Sequence, residues 1–309
     1  MNALVSHMAA DLGEPAPPGL EPLVDALKSQ LGDALRAVVL YGSTRRNDDV
    51  GDGLVDLMAV VTDYRSAHRQ RLPAILNRLM PPNVYYLEAG DHSARVRCKW
   101  ILVSRRTLDR RMRGGLDGYF WARFTQPCRC VWAADEPARA ELAEWRAAAA
   151  VHFARRAAGI APGDLTAAEF WRRAIAATYA CELRPEPPEA ATRLVARDPA
   201  FWEALSRELL PQIGDVERGD GVTYRVRPGR TRRFGAWVEW RARRVWSKAL
   251  NFMRLLKATG TFANGVDYLC WKIERHSGVR IEPTETMRRH PRRSAAGLIW
   301  KMWRSGALK

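Results

Sequence analysis

One segment, running from Val38 to Tyr64, constrains the fold of this chain more than any other. It reads VVLYGSTRRNDDVGDGLVDLMAVVTDY, so that two apolar runs enclose a Gly-Ser pair and a polar loop. Runs of this length that are rich in Val and Leu and bounded by turn residues are typical of buried β-strands. The second run nevertheless contains an acid, Asp56. A carboxylate inside such a strand requires a functional or structural reason.

The flanking segments predict an α/β arrangement. Apolar residues at helical spacing over 20–31 lead into the strand at 37–41. Further on, NVYYLEAGDHSARVRCKWILVS (83–104) predicts two strands joined by a turn around Gly90 and Asp91. The run RPEPPE interrupts the helical pattern, and GDGVTYRVRPGRTRRFG (219–235) has the composition of a linker or hairpin. Helices are predicted at 138–158, 170–183, 201–210, 237–257 and 266–275, and the chain closes on AAGLIWKMWRSGALK with apolar residues near one face.

The excess of positive charge lies entirely in the last third of the chain. Residues up to Asp220 contain 29 Lys and Arg against 29 Asp and Glu, whereas 221–309 contains 21 against 5. Such a region should bind a polyanion, either nucleic acid or an anionic membrane surface. Indole rings among basic residues suit a membrane interface, although stacking would suit RNA equally. The tryptophans concerned are Trp237, Trp240, Trp246, Trp271, Trp300 and Trp303. The third interpretation is an ordinary helical domain with a basic exterior.

Composition also excludes several classes of protein. The five cysteines lack the spacing of a zinc site, which indicates a reducing compartment and no structural zinc. The N-terminal residues lack a basic region followed by an apolar core, so no secretory signal is expected. No stretch approaches the roughly 20 apolar residues of a membrane-spanning helix. We therefore expect a cytoplasmic protein that is peripheral on the inner face of the cell membrane.

The residues at the ends of the two apolar runs have the chemistry of a phosphate and metal site. Gly42 lets the backbone approach a triphosphate, and backbone N–H groups with the Ser43 hydroxyl can hold phosphate oxygens. An acid on the neighbouring strand can hold Mg²⁺ against the same phosphates, and we assign this role to Asp56. The structural alternative is a strand-edge acid beside a common dipeptide.

A strand ending in Gly-Ser, a loop and a second strand with an inward-facing acid resemble the nucleotidyltransferase fold. That motif usually has two acids separated by one residue, but Leu54 occupies the first position here. Asp52 is the nearest candidate for a second metal ligand, and Asp48 and Asp49 are weaker ones.

Further segments, taken in order, resemble the mitochondrial-type phosphatidate cytidylyltransferases, a CDP-diacylglycerol synthase family. In that family YGS is followed by a strand with a single acid, to which VDL (55–57) is similar. NVYYLE (83–88) and CKWILVS (98–104) are similar to its GVYYN and KYGV segments. YFWARFTQPC (119–128) resembles YIAGRLQKPV, and TYACELR (178–184) resembles SYxGDxR. The chain departs from the family at Trp100, at Ala122, after Gln126, where a lysine is absent, and at Glu182, which replaces an aspartate.

The resemblance implies Mg²⁺-dependent reaction of CTP with phosphatidate in an anionic membrane, giving CDP-diacylglycerol and pyrophosphate for phospholipid synthesis. The lipid phosphate is itself the nucleophile, so no Ser or Cys nucleophile is needed. Besides Asp56, the catalytic residues would be Lys99 and Arg123, as cations for the phosphates. The nucleotide-binding residues would be Tyr41, Gly42, Ser43, Gln126, Glu182 and Arg184, and the metal ligands Asp56 and Asp52.

Each of these side chains also has a structural interpretation. Lys99 could be a solvated charge at a strand edge, and Arg123 could extend past the aromatic residues around it towards water. Glu182 and Arg184 could close an ion pair on one helix. The positions of these side chains in the fold decide between the structural and the functional interpretation of each.

The predicted fold is an α/β nucleotidyltransferase-like mixed sheet with a helical middle region and a basic, mainly helical C-terminal region. We predict a catalytic domain at 1–135, a helical extension at 136–220 that completes the active site, and a basic, Trp-rich, membrane-associating region at 221–309. No DNA partner is expected, and assembly into a homo-oligomer is left open. One rival function is a nucleotidyltransferase acting on RNA or a small alcohol. The other is a non-catalytic lipid- or nucleic-acid-binding protein with a degenerate nucleotide site.

Overall fold

A five-stranded mixed sheet forms the centre of the part of the chain that the computed structural model describes, which is residues 2–42, 45, 54–68, 71–90, 95–182, 187–261 and 284–289. Its strands are β1 (Leu35–Tyr41), β2 (Leu54–Val61), β3 (Asn83–Ala89), β4 (Val96–Ser104) and β5 (Arg129–Ala133). The spatial order is β3-β4-β2-β1-β5. β2 and β4 run parallel, and the other neighbouring strands run antiparallel.

Helices cover both faces of this sheet, and a second, smaller sheet lies further along the chain. The helices are α1 (Asn2–Gly13), α2 (Glu21–Leu31), α3 (Tyr64–Ala67), α4 (Arg71–Leu79), α5 (Arg105–Met112), α6 (Tyr119–Phe124), α7 (Glu136–Ala158), α8 (Ala167–Tyr179), α9 (Pro188–Arg197), α10 (Pro199–Leu209), α11 (Arg230–Thr261) and α12 (Glu285–Arg289). The second sheet is antiparallel and contains β6 (Gly163–Thr166), β7 (Val216–Arg218) and β8 (Thr223–Val226) in the order β6-β8-β7. Within the described residues, no helix combines the length and apolar character needed to cross a bilayer.

The alternation of side chains along the strands divides the core in two. Val39, Met58 and Ile101 point to one face, where they share a core with residues of α1, α6 and α7. Leu57 and Leu102 point to the other face, where they pack with the apolar stripe of α2. Asp56 follows the first set, because it precedes Leu57 and lies two residues before Met58. The acid in the opening segment therefore faces the helical layer formed by α1, α6 and α7.

The predicted mixed α/β class is confirmed, and most of the predicted elements agree with the structure. The linker or hairpin at 219–235 contains the end of the β7–β8 hairpin and the start of α11. The predicted division near residue 220 stays a prediction; β8 pairs with β6 and β7, and Trp240 lies in the core shared with α1 and α7. The predicted helix at 266–275 and the closing stretch at 295–309 lie outside the described residues.

One of the tryptophans proposed for an interfacial surface is not on the surface. Trp240 is buried, its indole N–H donates to the Arg156 carbonyl oxygen, and its ring meets Trp121 edge to face. It therefore anchors α11 to the helical core. Trp237 and Trp246 of the same helix are exposed, as an interfacial role requires.

Helix α1 was not predicted, and it is held to the core by a buried charge cluster. Both carboxylate oxygens of Asp11 are engaged: Oδ1 lies 2.7 Å from Arg129 Nη1, and Oδ2 lies 2.7 Å from Arg146 Nη2. Oδ2 also accepts a hydrogen bond from the Cys128 backbone N–H. Arg146 is 2% exposed and donates to the carbonyl oxygens of Met8, Phe124 and Gln126. This cluster joins α1, α7 and the start of β5.

Candidate active site

A row of four polar side chains crosses the large sheet at one level. The strand register pairs Tyr41 with Asp56, Asp56 with Lys99, and Lys99 with Tyr86. Directly opposed residues on neighbouring strands project to the same face of a sheet. β1, β2, β4 and β3 therefore each contribute one member of this polar row. The strand register alone therefore places Tyr41, Asp56 and Lys99, all predicted from the sequence, side by side.

The centre of the polar row is an ion pair between two predicted site residues. Lys99 Nζ lies 2.8 Å from Asp56 Oδ1, with the two side chains 30% and 22% exposed respectively. A half-buried pair of this kind is less screened by water than a surface pair. The pairing excludes the interpretation of Lys99 as a merely solvated strand-edge charge.

Gly42 explains why a glycine ends the first apolar run. Its φ is +84°, in the left-handed region that side-chain-bearing residues rarely adopt. A Cβ built at this position would lie 2.8 Å from Asp56 Oδ2. Both the backbone conformation and the available space therefore require glycine, and the chain after β1 lies directly against the Asp56 carboxylate.

Arg123 approaches the polar row from α6. Its guanidinium carbon is 4.8 Å from the centre of the Tyr119 ring and 5.7 Å from that of Tyr41. It pairs with Glu182, whose Oε1 lies 3.9 Å from Nη2. Burial works to lower the pKa of Arg123, but the neighbouring tyrosines, Glu182 and Asp56 oppose it, and the net direction is upward. The guanidinium therefore stays charged beside the row.

Tyr41 connects Arg123 with Asp56. It is the register partner of Asp56 and lies under the Arg123 guanidinium. Burial raises the pKa of Tyr41 well above its usual value, and Tyr119 and Asp56 act in the same direction. The phenol is therefore neutral at physiological pH and lies between the Asp56 carboxylate and the Arg123 guanidinium.

Helix α11 adds Arg254 to the candidate site, a residue that was not predicted from the sequence. The Arg254 guanidinium carbon lies 5.1 Å from the centre of the Tyr119 ring, and its Nη2 lies 2.6 Å from Asp117 Oδ2. Its Nε also donates to the Pro81 carbonyl oxygen, 2.8 Å away. The sequence did contain a signal for this position. Arg254 lies at helical spacing from Trp240 and Ser247, which are buried on the inward-facing side of α11. Two guanidinium groups therefore share the Tyr119 ring at the edge of the site.

The remaining predicted residues fall into two groups. Gln126 Nε2 donates to the Ala122 carbonyl oxygen, and the backbone carbonyl oxygen of Gln126 accepts a hydrogen bond from Arg146. These contacts tie the end of α6 to the core. Ser43 and Arg184 lie outside the described residues, and so do the acids Asp52, Asp48 and Asp49.

The described residues supply one carboxylate at the row where a metal ion could bind. Among them, no group of three or more His, Cys, Asp or Glu side chains is arranged to hold a metal ion. Mg²⁺ does not require such a group, because it is usually held through one or two carboxylates, substrate phosphates and water. The Asp56 carboxylate, which lies against the side-chain-free backbone of Gly42, fits that form of binding.

Comparison with known proteins does not identify a family. No protein-family model matches the chain, and no curated protein matches it. The resemblance to phosphatidate cytidylyltransferases therefore stays a prediction, and the functional argument rests on the geometry of the polar row.

Proposed function

We propose that this protein is a phosphatidate cytidylyltransferase that uses CTP and Mg²⁺. The observation that carries the proposal is the contact of Gly42 with the Asp56 carboxylate, beside Lys99 and Arg123. A side-chain-free turn, an acid for a metal ion and two cations for phosphates are the parts that nucleotidyl transfer needs. The sequence resemblance supplies the base and the lipid acceptor.

The transfer conserves atoms and charge without a protein nucleophile. An oxygen of the lipid phosphate forms a bond to the α-phosphorus of CTP. The bond from that phosphorus to the oxygen bridging to the β-phosphate breaks, and pyrophosphate leaves with the electron pair. The work left to the protein is to position two anionic groups and to stabilise the charge that develops between them.

Each member of the site has a role in this step. The Gly42 backbone would approach the triphosphate, while Lys99 and Arg123 would neutralise phosphate charge from the two sides of Asp56. Asp56, with Asp52 as the predicted second ligand, would hold Mg²⁺. When bound, the ion would neutralise charge on the triphosphate. Arg254 and Tyr119 hold Arg123 and the end of α11 at the edge of the site.

The surface of α11 supports a lipid acceptor. The side of this helix that faces away from the core, here called the outer face, mixes large exposed apolar residues with arginines, and Arg241 stacks on Trp237 at 5.0 Å. Its apolar members are Phe234, Trp237, Val238, Val245, Trp246, Phe252 and Met253, and its exposed basic members include Arg230, Arg233, Arg241 and Arg244. Indoles at headgroup depth and arginines on anionic lipid are the features of a peripheral membrane helix.

The outer face also lies on the same helix as a site residue. Phe252 and Met253 are each 46% exposed and directly precede Arg254, which contacts Tyr119. A membrane bound along α11 would therefore meet the protein next to the polar row. This placement suits a substrate whose phosphate stays at the bilayer surface.

Replacing both Trp237 and Trp246 by Ser should weaken binding to vesicles of phosphatidylcholine and phosphatidate by at least about tenfold. Two half-exposed indoles would no longer enter the interface, whereas the polar row would be untouched. Vesicle sedimentation measures the first effect, and calorimetric titration with CTP and Mg²⁺ checks that nucleotide affinity is unchanged. A Leu116→Ser, Val222→Ser variant, which alters exposed apolar residues outside α11, serves as the control. Equal losses of lipid and CTP binding in the tryptophan variant would contradict the proposed role of the outer face.

Gly42→Ala should abolish measurable Mg²⁺-dependent CTP binding, because the new methyl group would displace the Asp56 carboxylate. The matched control is Gly32→Ala: Gly32 also has positive φ, at +53°, but no atom lies within 4 Å of a Cβ built there. Both variants should lose stability by about 1–3 kcal/mol, because a residue with a Cβ is strained at positive φ. Thermal unfolding measures the strain, and calorimetry measures CTP binding. Normal CTP binding by Gly42→Ala would show that the turn after β1 is not part of the site.

The acceptor is tested by incubating the protein with Mg²⁺, CTP labelled at the α-phosphorus, and one of three acceptors. We expect label in the lipid with phosphatidate vesicles and none with diacylglycerol vesicles, which lack the attacking phosphate. RNA is the third acceptor. Labelling of RNA but not of phosphatidate would preserve nucleotidyl transfer and refute the lipid substrate.

A further inference from the structure

A groove lined by arginines lies at the opposite end of the strands that carry the polar row. It has a volume of about 670 Å³ and receives side chains from α3, α4 and α5. Five arginines and one acid line it: Arg65, Arg71, Arg78, Arg106, Arg110 and Asp63. We propose that this arginine groove is a second binding site, specific for a ligand that carries several phosphate groups.

The arginine groove is separate from the proposed active site. It is formed where the parallel strands β2 and β4 end, at Val61 and Ser104. Asp56 lies five residues before Val61, which corresponds to about 16 Å along an extended strand. Ligands in crevices outside the carboxyl ends of parallel strands are a general feature of α/β proteins.

The arginines of the groove are not used to hold the fold together. All five are exposed, and no ion pair joins any of them to an acid in the described parts of the chain. Arginines at the two ends of α5 behave differently: Arg105, its first residue, pairs with Glu141, and Arg113, just after its last residue, pairs with Asp109. The one acid of the groove, Asp63, is engaged by the backbone N–H groups of Arg65 and Ser66.

The spacing of the arginines concentrates positive charge on one concave surface. Arg106 and Arg110 are four residues apart on α5, and Arg71 and Arg78 are seven apart on α4, so each pair lies along one helix face. Like charges four residues apart repel one another and disfavour the helix, which applies to the α5 pair. A bound anion would remove that repulsion.

The chemistry of the lining favours phosphate over other anions. Guanidinium groups match phosphate oxygens with paired hydrogen bonds, and five of them exceed what a single carboxylate ligand can use. Ser66, Ser104 and Thr107 also line the groove, where the Ser66 hydroxyl donates to the Asp63 carbonyl oxygen and the Ser104 hydroxyl donates to Thr107 Oγ1. Ser104 caps α5, so the positive end of that helix dipole is at the same place. The source of the phosphates is either a phosphorylated lipid headgroup or a free polyphosphate.

The test uses two variants on different helices and a charge-matched control. Arg106→Gln with Arg110→Gln removes the α5 pair, and Arg71→Gln with Arg78→Gln removes the α4 pair. Glutamine is a good helix former, so both should fold, which circular dichroism checks. The control is Arg172→Gln with Arg193→Gln, which removes two exposed arginines elsewhere. Calorimetry with sodium tripolyphosphate, in the absence of Mg²⁺, is the first measurement, and sedimentation with vesicles of phosphatidylcholine and phosphatidylinositol bisphosphate, whose headgroup carries several phosphates, is the second.

We expect each groove variant to lose at least about tenfold in affinity for tripolyphosphate, for the phosphatidylinositol bisphosphate vesicles or for both, while the control changes by less than about twofold. A loss confined to tripolyphosphate assigns a free polyphosphate, and a loss that includes vesicles assigns a lipid headgroup. CTP binding with Mg²⁺ should be unchanged, since Lys99 and Arg123 are intact. Wild-type affinity for both probes in both groove variants, or an equal loss in the control, would overturn the proposal.

Discussion

Asp56→Asn should lower the rate of the proposed cytidylyl transfer by about 10²–10³-fold while the protein remains folded. The substitution keeps the size of the side chain and removes the negative charge that lies 2.8 Å from Lys99 Nζ. Without that charge the site loses its proposed metal ligand, and Lys99 loses an ion-pair partner. Initial rates at saturating CTP, Mg²⁺ and phosphatidate measure the effect.

The control for this variant is Asp109→Asn, which removes an acid of α5 that also pairs with a base, Arg113, but is more exposed than Asp56, at 40% against 22%. It should leave the rate within about twofold of wild type, because exposed pairs contribute little. Lys99→Met should reproduce much of the Asp56→Asn loss. An Asp56→Asn protein with wild-type rates would place the reaction centre elsewhere in the chain.

The largest expected effect on stability belongs to Asp11→Asn. This change leaves the buried guanidinium groups of Arg129 and Arg146 without their shared carboxylate. Removing one partner of a buried charge cluster typically costs about 3–5 kcal/mol, because the remaining charge is left uncompensated. Urea denaturation, followed by far-UV circular dichroism, should show this decrease in the free energy of unfolding.

Asp25→Asn provides the matched comparison. Asp25 also pairs with a base, Lys28 at 3.5 Å, but its side chain is 72% exposed. Its free energy of unfolding should stay within about 0.5 kcal/mol of wild type. If both substitutions cost less than about 1 kcal/mol, the Asp11 cluster is not what attaches α1 to the core.

The sequence predicted β1 to β4 well, because apolar runs and turn residues are local signals, but it did not predict β5 to β7. The runs before Gly42 and after Leu54 became β1 and β2, and the segments at 83–104 became β3 and β4. The same reasoning identified Asp56 as an anomaly within a strand. It could not predict that Lys99 would lie directly opposite, because the register between β2 and β4 depends on how distant segments pack.

The contacts that were missed depend on how distant segments of the chain pack together. Asp11 meets Arg129 and Arg146 only after α1 packs beside α7, and Arg254 reaches Tyr119 from more than a hundred residues away in the chain. Trp240 was grouped with interfacial tryptophans because basic neighbours surround it in sequence. Trp240 is buried because it lies on the side of α11 that faces the core.

The most direct test of the proposed reaction compares CTP labelled at the α-phosphorus with CTP labelled at the γ-phosphorus. Each is incubated with the protein, Mg²⁺ and phosphatidate vesicles, and the organic and aqueous phases are separated. The proposal predicts α-label in the lipid, γ-label in aqueous pyrophosphate, and neither product with Asp56→Asn. Transfer of γ-label to the lipid, or the absence of lipid label from either nucleotide, would contradict it.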